Sequence, residues 1–471
     1  MPEIAPGTES LHLAEDFPPV ATAEWEAAIR KDLKGADYEK RLVWRTDEGI
    51  AVRPYYRAED LPTGFPVVRG GGKRWTMAQD AALAPGAIRA DRLHEAGANA
   101  IQELGYGLAA GVERLAELAA KQPVDSAARE IEFVFAVGST FFMEIAKLRA
   151  ARTLWARAVA AFGPTDAESC RMRLAVRTSL RNKSILDRYT NLLRVTTEAL
   201  AAALGGCDSL DVRPFGFDAH LALNVQRILR EESHVDAVAD PAGGSYFIER
   251  LTAALAREGW KLFQQVESEG GYAKAWASGA IPKALAESRA AREKAVAARR
   301  KTLVGVNNYP NLMEKEPEVE PPLEFEGAEP RPFRLAEPFE KIRQRTIRNA
   351  RLTGRYPKIL LLKRGDLKMR MARANFCLNF FGCAGFDMVE SEEYAGTDAD
   401  LVVLCSSDAE YTALAQEVCP KVSVPVFVAG NPKDQIEALQ ASGVRGFVHV
   451  QSNAIELLTS LQDSFGMGKL A

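Results

Sequence analysis

Strand-length apolar runs alternate with helix-length segments along most of this chain, and neither an all-α nor an all-β plan accommodates that alternation. Between Ile88 and Val306 the candidate strands are 88–93, 131–137, 172–178, 210–214 and 234–238. The candidate helices are 96–119, 140–162, 191–204, 219–232 and 251–267. This order predicts a parallel sheet wrapped by helices, of which a (β/α) barrel is one form. The pattern resumes after Pro357, with strands predicted at 358–363, 387–389, 401–405, 424–429 and 446–449. Five short strands spaced by helices predict a doubly wound sheet, with its ligand crevice at the strand C-termini, near 365–371 and 406–408.

The segments around these two patterns differ in composition. Residues 314–326 are acidic and Pro-rich and read as an inter-domain linker. The stretch 341–355 carries five Arg and reads either as a helix on an acidic surface or as a solvated helix. An Ala- and Arg-rich helix at 285–300 is expected on the outside. Residues 1–20 read as a lead, 21–32 has helical spacing with Trp25 on its apolar face, and 41–44 with 50–53 flank a turn at 46–49 that suggests a hairpin. The expected domains are an N-terminal arm (1–87), a first α/β domain (88–310), a linker (311–356) and a second α/β domain (357–471).

Composition narrows the functional classes. The net charge of -3 gives no reason to expect nucleic acid or an acidic membrane as partner. No apolar run approaches the ~18 residues that span a bilayer. The N-terminus has neither a basic region nor an apolar h-region, so no signal peptide is expected. The six Cys form no C-x-x-C pair, which suits free thiols in a reducing cytoplasm. The spacing of the Cys and of His12, His94, His220, His234 and His449 assembles no zinc site. Asp240-Pro-Ala-Gly-Gly-Ser-Tyr246 reads as a tight turn or, less simply, as an anion-cradling loop.

Several stretches carry a family resemblance. Phe141-Phe-Met-Glu-Ile-Ala-Lys-Leu-Arg-Ala-Ala-Arg-Thr-Leu-Trp155, Glu231-Glu-Ser-His-Val-Asp-Ala-Val-Ala-Asp-Pro-Ala-Gly-Gly-Ser-Tyr246 and His94-Glu-Ala-Gly-Ala-Asn99 are similar to signatures of methylmalonyl-CoA mutases. Lys31-Asp-Leu-Lys-Gly35 and Arg177-Thr-Ser-Leu-Arg-Asn-Lys183 resemble the small, non-catalytic subunit of the heterodimeric bacterial enzyme. The likeness covers about 20–310 and 357–467. It implies a (β/α) barrel followed by a flavodoxin-like cobalamin domain. It also implies an adenosylcobalamin-dependent rearrangement of (R)-methylmalonyl-CoA to succinyl-CoA, in which the cofactor supplies the radical chemistry.

The chain departs from that pattern at the residues that matter. The family's cobalt-ligating loop reads Asp-x-His-x-x-Gly; here 364–371 is Arg-Gly-Asp-Leu-Lys-Met-Arg-Met, with Gly365, Asp366, Met369 and Arg370 as its degenerate positions. An Arg offers no lone pair, and a Met thioether is a poor substitute for imidazole. A catalytic Tyr-His is matched by Asp91 and Arg92, expected to form a charge pair, with His94 a structural histidine two residues on. A catalytic His is matched by Ala175 and a Gln by Leu186. Asn224 and Gln226 match residues that catalytic chains keep. Too few strands precede Val238 for a barrel of eight, so the barrel is expected to be incomplete and in need of a partner.

The resemblance therefore implies a chain with no catalytic residues of its own, paired with a catalytic large subunit that holds adenosylcobalamin. Trp25 and Trp44 of the arm are candidate partner anchors, or pack within the chain; a homodimer is the other assembly considered. The alternatives are a mutase with a remodelled site using Asp91, Arg92 and His94, or a regulatory module that binds cobalamin or acyl-CoA.

Overall fold

A computed structural model describes residues 19–61, 74–78, 84–314, 317, 330–396 and 398–468. Contacts divide the chain into two units, 1–60 and 61–471.

In the first unit, α1 (Thr22–Asp32) and α2 (Tyr38–Leu42) precede an antiparallel hairpin of β1 (Trp44–Arg45) and β2 (Ala51–Val52). The hairpin turn is closed by Thr46, whose hydroxyl accepts from the Glu48 and Ile50 N–H groups at 3.2 Å each. No residue of α1 is buried. Trp25 stacks on Tyr55 with ring centroids 4.9 Å apart, and the Tyr55 hydroxyl donates to Glu26 at 2.8 Å.

The second unit holds two sheets. The first contains β3 (Thr76–Ala78), β4 (Ile88–Arg89), β5 (Glu132–Val137), β6 (Arg173–Thr178) and β7 (Ser209–Asp211). Every pair is parallel and the order is β3-β7-β6-β5-β4, so the earliest strand lies beside the latest. After β4 come α3 (Ala90–Ala96), α4 (Ala100–Ala119) and α5 (Val124–Glu130); α6 (Phe141–Ala161) follows β5 and α7 (Thr190–Leu204) follows β6. Beyond β7 lie α8 (Ala219–Arg227), α9 (Tyr246–Ser268), α10 (Tyr272–Ala277) and α11 (Ala280–Ala297).

Local sequence explains this packing. A capping box between Asn99 and Gln102 starts α4 by satisfying two N–H groups that helix geometry leaves free. Residue 111 of α4 is Gly because the Phe133 ring of β5 occupies the space of a Cβ. Phe133 then meets Trp155 of α6 edge-on at 4.8 Å, both rings fully buried. Truncating either to Ala would cost about 3–5 kcal/mol. Alternation along the strands sends Phe133 toward these helices and leaves Arg89, Val134, Ala136, Ala175, Arg177, Ser209 and Asp211 together on the opposite face.

Three expectations are corrected in this unit. Residues 234–238 form turns rather than a strand, after a π-helical turn over Ile228–Glu232. The strand expected at 88–93 stops at Arg89, because Ala90, Leu93 and Ala96 bury one face of α3, which Gly97 ends at φ 125°. The strand Thr76–Ala78 lies before residue 88 yet pairs with β7.

The C-terminal sheet contains β8 (Lys358–Lys363), β9 (Asp387–Ser391), β10 (Leu401–Cys405), β11 (Val426–Ala429) and β12 (Val444–Val448). All pairs are parallel, in the order β12-β11-β10-β8-β9. Its helices are α12 (Glu337–Thr353), α13 (Leu367–Gly382), α14 (Tyr411–Val418), α15 (Ile436–Ala441) and α16 (Ala454–Ser464). Ile359 and Leu361 face a core formed with α12, α13 and α16, whereas Leu360 and Leu362 face α14 and α15. Helices thus cover both faces, which is why the strands read as unbroken apolar runs.

Of the segment expected as a linker, most of 314–326 lies outside the described residues. Residues 330–356 are packed. Leu335 N–H donates to the Arg181 carbonyl at 2.8 Å, and Arg334 makes two 2.6 Å bonds to Glu340. Glu340 also accepts from the Ile185 N–H at 2.9 Å. The Arg-rich stretch is divided: Arg348, Arg351 and Arg355 are exposed, whereas Arg343 and Arg345 are buried, Arg343 donating to the Gly382 carbonyl at 3.0 Å and Arg345 to Asp463 at 2.6 Å. The helix expected at 285–300 is α11, and Leu285, Arg292 and Val296 bury one side of it.

Candidate functional site

Of the four degenerate positions matched to the catalytic residues, the first sheet places Asp91 in a network of ion pairs and buries Ala175 on β6, while Arg92 and Leu186 lie elsewhere. Asp91 is buried and is held by Arg89 through bonds of 2.8 and 2.7 Å, with Arg177 at 3.9 Å. Arg177 continues to Asp211 at 2.8 Å. Arg92 is exposed, so the expected Asp91–Arg92 pair is replaced by a chain of charges running Arg89–Asp91–Arg177–Asp211. Adjacent helical residues diverge by about 100° around the axis, which keeps 91 and 92 apart. Ala175 is buried on β6, in register with Val134 and Ser209. Leu186 lies apart from this chain, fully buried with Leu180, Ile185 and Phe215.

His94 is locked into a second, wholly buried network. Its Nδ1 lies 3.0 Å from Glu103 and its Nε2 3.0 Å from the Ser179 hydroxyl. A neutral ring satisfies both, with Nδ1–H donating to Glu103 and Nε2 accepting from Ser179. Burial, reinforced by Arg181, Lys147, Arg292 and Arg213, pushes the His94 pKa well below its ordinary value. Burial also raises the Glu103 carboxyl to about 7, against the pull of Lys147. Lys147 bonds Glu103 at 2.6 Å and the Ala136 carbonyl at 2.7 Å. Burial disfavours the Lys147 ammonium, but Glu103 and Glu144 outweigh it and raise its pKa. Ser179, His94 and Glu103 have the spacing of a hydrolytic triad, but none reaches solvent, so they hold structure. Sequence reading identified His94 but missed its partners, 9 and 85 residues away.

The loop 240–246 resolves as a turn at the start of α9. Gly244 N–H donates to Glu249 at 3.0 Å and Gly243 N–H to the Asp240 carbonyl at 2.9 Å, while the Asp240 carboxylate accepts from Arg149. Gln226 is buried and accepts from the Trp75 indole at 3.2 Å, pinning the approach to β3.

The crevice of the C-terminal sheet carries the other degenerate positions. Asp366 caps α13, accepting from the Met369 N–H at 2.8 Å, and Arg370 pairs with Glu392 at 3.0 Å. Gly365 has φ 74° and faces the Glu410 carboxylate with no room for a Cβ. No histidine occurs between Lys358 and Val448. This donor set does not fit a cobalt ion needing an imidazole from this loop. Among the described residues no group of three or more His, Cys, Asp or Glu could hold a metal, and no helix is long and apolar enough to cross a membrane. In the first unit Trp25 and Trp44 remain about half exposed, at 45% and 50%.

Comparison with known proteins adds the relationship. The sequence profile of the family described as methylmalonyl-CoA mutase matches residues 72–349. A methylmalonyl-CoA mutase small subunit of Porphyromonas gingivalis is 32% identical, the match covering 98% of this chain and 99% of that protein. That alignment runs over 620 positions, 149 more than the 471 residues of this chain. The small subunit of Streptomyces virginiae is 35% identical over 79% of this chain, which spans 63% of its length. A protein of Cereibacter sphaeroides named methylmalonyl-CoA mutase is 44% identical over 226 residues, 46% of this chain and 32% of that protein. The chain therefore belongs to the methylmalonyl-CoA mutase family.

Proposed function

We propose that this chain is the small, non-catalytic subunit of an adenosylcobalamin-dependent methylmalonyl-CoA mutase, and that it stabilises a catalytic large subunit in a cytoplasmic heterodimer. The observation that carries this reading is the occupation of the matched active-site positions. Asp91 is locked by Arg89, Ala175 is buried and offers no polar group, and Leu186 is buried in apolar packing. A substrate thioester would find neither a phenol nor an imidazole there. The isomerisation of (R)-methylmalonyl-CoA to succinyl-CoA, and the cobalamin that supplies its radical chemistry, then belong to the partner.

The finer architecture supports the same reading. The order β3-β7-β6-β5-β4, with the first strand beside the last, supports reading this sheet as part of a (β/α) barrel that lacks early strands. Nine residues join β3 to β4, too few for a helical crossover. The C-terminal order is 2-1-3-4-5 when counted along the chain, the flavodoxin-like arrangement. Of the domain bounds expected from sequence, the partial barrel then starts with β3 rather than at 88, and the cobalamin-type domain without its ligand takes in α12 as well as 357–471. An arm helix with no buried residue, beside half-exposed Trp25 and Trp44, suits a partner surface.

The test is co-expression with a large mutase chain, followed by affinity capture and native mass. A one-to-one complex is expected; isolation of a monomer or homodimer alone would refute the subunit role. A second reading, a chain active by itself, is favoured by its 44% identity over 226 residues to a protein named as the mutase. Turnover by the purified chain supplied with adenosylcobalamin would establish that reading.

A further inference from the structure

We infer that Glu410 is a built-in anion that holds the crevice of the C-terminal sheet shut. The inference is independent of the subunit role. In this strand order the chain leaves β8 toward one face of the sheet and β10 toward the other, so the loops after them diverge and open a crevice between them. In related architectures that opening receives ligands. Here a side chain of the protein spans it.

One carboxylate oxygen of Glu410 collects donors from both loops. It accepts from the Asp366 N–H at 3.2 Å, at the start of α13, and from the Ser407 N–H at 3.2 Å. The Ser407 hydroxyl lies at 2.6 Å and the Ser406 hydroxyl at 2.8 Å, the latter also 2.8 Å from the Arg364 carbonyl. All four partners are neutral: two are backbone N–H groups, as in the nests that hold external anions, and two are hydroxyls, with Ser406 sharing its one proton between Glu410 and the Arg364 carbonyl. Gly365 completes the fit: its positive φ turns the loop, and the absent Cβ leaves the carboxylate its space. Ion pairs Arg364–Glu417 and Arg373–Asp408 close the rim. The Ser407 and Ser406 hydroxyls, with the Asp366 N–H, hold the Glu410 carboxyl down at about 2.

The test is hydrogen exchange by mass spectrometry on the full chain, reading peptides over 364–371 and 406–410 in wild type and Glu410→Ala. Exchange there is expected to quicken by about tenfold or more, the scale of a lost charge-assisted bond. Excess sodium formate, whose carboxylate can enter the vacated cradle, should slow it again, whereas equal sodium chloride should not. Unchanged exchange, or formate acting no differently from chloride, would overturn the inference. If Glu410→Ala does not fold, Glu410→Gln serves: it keeps the shape but puts an amide among the donors, and wild-type exchange rates in that variant would equally refute the latch.

Discussion

Met77 stands in register with Leu210, which fastens the first strand of the large sheet to its last. The contact bridges more than 130 residues of sequence and rests on only three paired positions. The Trp75 indole bond to Gln226 reinforces it from the side. Gln226→Ala leaves a buried indole N–H without an acceptor and is expected to cost about 1–3 kcal/mol, read as a lower urea midpoint at unchanged m-value.

The His94–Glu103 pair predicts opposing pH slopes. Folded Glu103 keeps its proton up to about 7, whereas unfolded Glu releases it near 4.5, so this group makes stability fall as pH rises between those values. His94 is depressed, so the unfolded chain binds the extra proton below about 6.5, and this group makes stability fall as pH drops. In wild type the two slopes oppose each other. Relative to wild type, His94→Asn should lose stability as pH rises from 5 to 7, and Glu103→Gln should lose it as pH falls over that range. Urea titrations at the two pH values decide it; parallel behaviour of both variants and wild type would refute the linkage.

Arg334→Met removes one partner from a buried bidentate pair and leaves Glu340 a charge without its counterion. The expected cost is about 3–5 kcal/mol. Because the pair sits where the 330–356 segment meets the first sheet, unfolding should also split into two phases in calorimetry.

Trp25→Ala and Trp44→Ala probe the partner surface. Trp25 already rests on Tyr55, so its loss should unsettle the arm as well as any interface. Trp44 is the cleaner probe: half exposed, its removal should leave thermal stability within about 0.5 kcal/mol while weakening capture of a large subunit by tenfold or more.

The C-terminal sheet was the most legible part of the sequence, since strands covered on both faces are continuous apolar runs that periodicity detects. The three-residue β3 was not, because Thr-Met-Ala has no strand signal and gains its place only from pairing with β7. The segment 234–238 misled for the converse reason: His-Val-Asp-Ala-Val alternates like a strand, but His234 and Asp240 adopt positive φ around it. Asp91 was named from its matched position, but its partners Arg89 and Arg177 were not; Arg177 lies near it only through sheet register. Glu410 was legible only as the last residue of a Ser-x-x-Glu helix start, since its partner at Asp366 lies 44 residues away.

The docking of residues 330–356 has a consequence for how the molecule would come apart. Leu335 and Glu340 bond the loop after β6, at Arg181 and Ile185, while α12, the helix of Glu340, is buried in the core of the second sheet. A protease cut anywhere in 318–329 would therefore sever the backbone without separating the halves. The two fragments should stay together through gel filtration and part only in denaturant, so an intact native mass is no proof of an intact chain.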